Sequence, residues 1–92
     1  MKLYLIHTGY YDKSIGDGFY EQHTNIFIVA KDPYSAREEI KKNKEYVSKK
    51  MHIDGIKEIE NIDGYDVKLI KKNKQKVTSF NHYQVRFLKS DK

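Results

Sequence analysis

The stretch Thr24-Asn25-Ile26-Phe27-Ile28-Val29-Ala30-Lys31-Asp32-Pro33-Tyr34-Ser35-Ala36 decides the fold. Its first seven residues are rich in β-branched and aromatic side chains and apolar enough for a central strand. Asp32 can then cap free N–H groups, and Pro33 at a first helical position has no N–H to lose. Ser35 and Glu38 offer a competing capping box a few residues later. Downstream, Ala36, Ile40 and Val47 recur at helical spacing as one thin apolar stripe, with Asn43 inside it. Lys49 and Lys50 suit the negative end of the helix dipole. The pattern predicts a helix over roughly 33–48.

On the N-terminal side, Lys2–Thr8 alternates with both faces apolar at its start, a strand buried on two sides. Gly9–Gln22 lies between the two strands and reads as a long loop. It holds Gly9, Gly16 and Gly18 together with Tyr10, Tyr11, Phe19 and Tyr20, and connections of that length are often functional. On the C-terminal side, Met51–Gly55 is a connector or short strand and Ile56–Ile62 a third strand. Asp63-Gly64 is a two-residue hairpin signal. Tyr65–Ile70 alternates as a fourth strand. Lys71–Lys76 is a polar turn, and Val77–Leu88 supplies a fifth strand through the alternation of Tyr83, Val85 and Phe87. The expected architecture is α+β, a two-layer sandwich of order β-β-α-β-β-β. A mainly antiparallel sheet of four to five strands carries one helix on one face.

Composition bounds what such a chain can do. It has 92 residues, 18 Lys+Arg, 13 Asp+Glu, a formal charge of +5, no Cys, no Trp and one Pro. That length is one domain, residues 1–92, with a modest core. Apolar residues make up 38%, too many for a disordered tail. The longest apolar run, Ile26–Ala30, is far short of the ~20 residues of a membrane span. Without cysteine there is no disulfide framework, thiolate metal site or thiol nucleophile, and a cytoplasmic setting is the expectation. The charge is uneven. Residues 1–66 hold 10 Lys+Arg and 12 Asp+Glu, whereas residues 67–92 hold 8 Lys+Arg against Asp91 alone. Residues 71–92 therefore read as a basic C-terminal hairpin or strand extension.

Three groups of residues could carry function. Glu21 and His23 are two apart, and so are His52 and Asp54. In extended chain such residues project to one face. Imidazole with carboxylate is a first shell for a divalent metal, or an acid–base site, if the two pairs converge. The competing reading is cross-strand ion pairing that pins the long loop to the sheet. His7, at the end of the first strand, is placed to join them, while His82 reads as surface. The second group is Tyr10, Tyr11, Phe19 and Tyr20, whose apolar bodies and polar tips suit a protein interface. The third is Lys71, Lys72, Lys74, Lys76 and Arg86, a basic patch of the kind that attracts nucleic acid. Gly16-x-Gly18 lacks the third glycine and parallel context of a phosphate loop.

The Lys2-Leu3 strand ending in Gly9, the Glu21-Gln22-His23 and His52-Ile53-Asp54 triplets and Asp63-Gly64-Tyr65 resemble a family of small bacterial domains of unknown function. The likeness covers about residues 2–70 and rests on the order Glu-x-His, His-Ile-Asp, Asp-Gly-Tyr. It implies that Glu21, His23, His52 and Asp54 are the positions to watch, and it carries no assigned reaction. Two departures stand out. The tyrosine-rich loop is longer than the glycine-rich one of the family, and the basic segment after Ile70 lies beyond the likeness. The reading favoured by sequence is a small non-enzymatic module that engages a protein partner, or a second copy of itself, through the 9–22 loop and an exposed sheet face or edge. A metal or acid–base site and a nucleic-acid surface are its alternatives.

Overall fold

The computed structural model describes residues 1–90. Asp91 and Lys92, the end of the basic segment, lie outside the described residues. The chain is α+β. Three long strands, β1 (Lys2–Tyr11), β2 (Glu21–Ala30) and β3 (His52–Ile59), form an antiparallel sheet in the order β2-β1-β3. Two short helices, α1 (Pro33–Ile40) and α2 (Lys44–Ser48), connect β2 to β3. A two-stranded ribbon follows, β4 (Asn61–Ile62) and β5 (Tyr65–Asp66), and a last helix, α3 (His82–Arg86).

Alternation along β1 decides which face is core. Tyr4, Ile6 and Thr8 point to one side and are fully buried. With Ala30, Ala36 and Ile40 the apolar members form the core, against which Ile26, Ile28, Tyr46, Ile53 and Ile56 pack. Thr8 satisfies its buried hydroxyl by donating to the Thr24 carbonyl at 3.1 Å. Tyr4 donates its hydroxyl to Glu58 Oε1 at 2.7 Å. Burial and that carboxylate push the Tyr4 phenol up to about 12.

The helix start falls where its residues require. Asp32 accepts from the Ser35 N–H at 2.7 Å, which holds its carboxyl below the usual range. The single helix expected over 33–48 is two helices. Asn43 adopts extended backbone and accepts from the Tyr46 N–H at 3.0 Å, ending one helix and capping the next. The break shifts the apolar phase, so Tyr46 packs on the core and Val47 is 59% exposed. After α2 the chain turns sharply. Lys50 N–H reaches Val47 O and Met51 N–H reaches Tyr46 O, with Lys50 at φ +50°. That is a Schellman closure with a lysine in the place usually given to glycine.

Besides the divided helix, three expectations are corrected. The first two strands run on through Tyr11 and from Glu21, so the 9–22 loop shrinks to a tip over residues 12–20 containing one 3-10 turn, Gly16–Gly18. Ladder bonds continue there without any need for a core beneath them. The third strand begins at His52, and the Asp63-Gly64 turn closes only the short ribbon, with φ of 54° and 82° as a type I′ turn demands. The expected fifth strand contains a helix. Asn81 and Gln84 cap each other reciprocally, at 2.9 and 3.0 Å, and among the described residues no strand pairs with the alternating positions. Tyr83, Val85 and Phe87 are more than half exposed. With this segment laid outside the core, the radius of gyration is 16.4 Å, against about 12 Å for a compact chain of this length.

Candidate functional site: a histidine–carboxylate cluster over Gly9

The site lies on the sheet face away from the helices. Gly9 in β1 sits opposite His23 of β2 and His52 of β3, with Tyr11 opposite Glu21. Glu21, His23 and His52 therefore rise from flanking strands on one face, as the period of two demands. Asp54 arrives by a different device. His7 pairs with Gly55 and Thr8 with Ile53, which leaves Asp54 as the extra residue of a β-bulge. Bulges re-aim side chains, and this one turns the carboxylate toward the histidines.

The four side chains converge. His52 Nε2 is 2.9 Å from Glu21 Oε1 and 3.2 Å from Asp54 Oδ1. His23 Nδ1 is 3.2 Å from Asp54 Oδ2, and His23 Nε2 is 3.7 Å from Glu21 Oε1. His7 joins them, its ring stacked on His23 at 4.9 Å between centroids and 9° between planes. Gly9 is itself buried beneath the cluster. A methyl group at Gly9 would stand 2.5 Å from His52 Nε2 and 2.7 Å from Asp54 Oδ2, and closer still to Glu21 Oε1. Only glycine leaves that space to the donor atoms. The site is open to solvent, with side-chain exposures of 31% for Glu21, 32% for Asp54, 44% for His23 and 48% for His52.

Two neighbours orient the donors. Tyr11 donates its hydroxyl to Glu21 Oε2 at 3.3 Å, on the oxygen away from the cluster. His7 Nδ1 lies 2.9 Å from Asn25 Oδ1, an amide oxygen that accepts, so the ring donates through Nδ1 in this contact. Sequence reasoning found the four principal residues and pointed to His7. Gly9, Asn25 and the Asp54 bulge emerge only from strand register, although the His7/Asn25 pairing follows once Gly9 and His23 are set opposite.

The other candidates do not gather into one site. Tyr10 lies under Lys49, whose Nζ is 4.9 Å from the ring centre, at the edge of a cleft of about 480 Å³. Tyr11 belongs to the cluster. Phe19 and Tyr20 form an edge-to-face pair at 5.0 Å on the hairpin tip, 78% and 65% exposed. Lys71, Lys72, Lys74 and Lys76 follow one another along irregular, exposed backbone. Arg86 is in α3, 5.9 Å from the Phe87 ring.

The family model described as Domain of Unknown Function (DUF1543) matches residues 18–69. This is more than half of the 92 residues. The chain belongs to the DUF1543 family. Comparison with curated proteins finds no match, and comparison with solved structures finds none. The DUF1543 match contains Glu21, His23, Asn25, His52 and Asp54. His7, Gly9, Tyr11 and the basic C-terminal segment fall outside it. No helix among the described residues of this DUF1543 domain is long and apolar enough to cross a membrane.

Proposed function

We propose that this DUF1543 domain is a divalent-cation-binding module, with Glu21, His52 and Asp54 as primary ligands and His23 beside them. The observation that carries the reading is the convergence of imidazole and carboxylate donors on the space above Gly9. Ligands bonded at ~2.1 Å with angles of 90–109° lie about 3.0–3.4 Å apart. The closest cluster separations, 2.9 and 3.2 Å, are of that size. Two carboxylates held within ligand range of each other repel unless positive charge stands between them. Ion pairing alone is a poor reason to hold them there, since exposed pairs contribute about 0–1 kcal/mol. Exposure leaves the remaining coordination positions to water or an external ligand. Metal analysis of protein purified without a histidine tag tests the proposal. Bound divalent metal, lost in a His23→Ala/His52→Ala double variant that remains folded, is the expected result. Metal-free protein that also takes up none on addition overturns it.

A second reading rests on the hairpin tip. Phe19 and Tyr20 present an exposed edge-to-face aromatic pair, which supports a protein-contact role through self-association. Sedimentation at micromolar concentration tests it against a Phe19→Ser/Tyr20→Ser variant. Dimerisation lost in the variant supports the reading, and a wild-type monomer contradicts it.

A further inference from the structure

We propose that the cluster holds two cations bridged by Asp54, an inference that rests on the cation-binding reading above. Two donor triads can be drawn within ligand range, Glu21–His52–Asp54 and His7–His23–Asp54, and Asp54 alone belongs to both. Its two oxygens are divided between them. Oδ1 stands 3.2 Å from His52 Nε2, and Oδ2 stands 3.2 Å from His23 Nδ1. A carboxylate with a different imidazole at each oxygen is the arrangement of a bridging ligand, and bridged metal pairs lie roughly 3.5–4 Å apart.

Each half has its own support. Glu21 is oriented by the Tyr11 hydroxyl on its far oxygen. His7 is oriented by Asn25 on Nδ1, the outer contact that metal-bound imidazoles ordinarily make. The stacked rings of His7 and His23, 4.9 Å between centroids, both stand beside Asp54. Among the described residues the donors divide into these two triads rather than one larger set, which favours two positions over one.

The two halves differ chemically. Glu21–His52–Asp54 offers one nitrogen and two carboxylates, a set that accepts Mn²⁺. His7–His23–Asp54 offers two nitrogens and one carboxylate, a set that favours Zn²⁺. Zn²⁺ is therefore expected to fill the His7/His23 half first.

Zn²⁺ and Mn²⁺ titrations of untagged protein, read by native mass spectrometry and calorimetry, test the proposal, with circular dichroism as the folding check. Two equivalents of Zn²⁺ are expected for the wild type. A His7→Ala/His23→Gln variant should bind one, and so should a Glu21→Gln/His52→Gln variant. Mn²⁺-loaded wild type should give an exchange-coupled electron paramagnetic resonance spectrum rather than that of isolated ions. One equivalent in the wild type, whichever double substitution removes it, overturns the pair and leaves the single-cation reading standing. No uptake of either metal overturns both.

Discussion

Glu21 and His52, thirty-one positions apart in the chain, meet at 2.9 Å across the central strand, above a glycine that contributes no side chain. That relationship makes Gly9 the residue on which the account turns. A Gly9→Ala substitution places a methyl group among the donor atoms, whose flexible side chains can swing into solvent. Strand interiors ordinarily favour Ala over Gly by about 0.5–1 kcal/mol. Stability of Gly9→Ala should therefore stay within ~1 kcal/mol of wild type, while cation affinity falls at least tenfold. Urea unfolding and calorimetric titration of the same preparation check the two halves of this expectation.

Tyr11 was legible in the sequence only as one of several loop aromatics, yet its hydroxyl is on Glu21. Tyr11→Phe keeps the ring and removes that bond. Loss of such an outer contact costs roughly 10–100-fold in metal affinity, and an exposed bond of 3.3 Å belongs at the lower end. Titration with Zn²⁺ should show a weakening of about tenfold with unfolding unchanged.

Lys50 occupies a left-handed conformation in the turn after α2. A side chain there is strained, whereas glycine is not. Lys50→Gly should stabilise the domain by about 0.5–1 kcal/mol, seen as a higher urea midpoint with the same slope.

The Tyr4–Glu58 pair sets a pH limit. The Tyr4 phenol is raised to about 12, so the folded state holds a proton that the unfolded chain loses near 10. Its contribution is complete below pH 10 and is lost as pH rises from there to 12. Glu58 is depressed, chiefly by the Tyr4 hydroxyl, so its contribution is present above the ordinary carboxylate range and lost as pH falls through the lowered value. Thermal unfolding against pH should show both declines, and Tyr4→Phe should flatten the alkaline one.

Ile6 is fully buried on the central strand, in one core cluster with Ala36 and Ile40. Ile6→Ala should cost about 2–5 kcal/mol. A core this small tolerates little of that, so the variant should be largely unfolded by circular dichroism at room temperature.

The sequence revealed most about elements whose signals are local. The Asp32-Pro33 helix start and the Asp63-Gly64 turn are read from a few adjacent residues and stand where expected. The i, i+2 spacing put Glu21 with His23 and His52 with Asp54 before any fold was known. Failures came where a long-range partner decides the outcome. Gly9–Tyr11 and Glu21–His23 look like loop until each other's ladder is supplied. Tyr83, Val85 and Phe87 alternate like a strand, but alternation needs a neighbour to pair with, and the Asn81–Gln84 cap made a helix the available local structure. Asn43 was visible within the helix stripe, though its capping of α2 depended on the chain turning there.

The most direct test of the cation site is the imidazole ¹⁵N spectrum of untagged protein before and after addition of Zn²⁺. Of the four histidines, His7, His23 and His52 are in the cluster and His82 is in α3, where it serves as an internal control. Coordination predicts a large shift for His52, joined by His7 and His23 when both positions fill, with His82 unmoved. Four unchanged imidazoles, or a His82 that responds as strongly as the rest, would contradict the account.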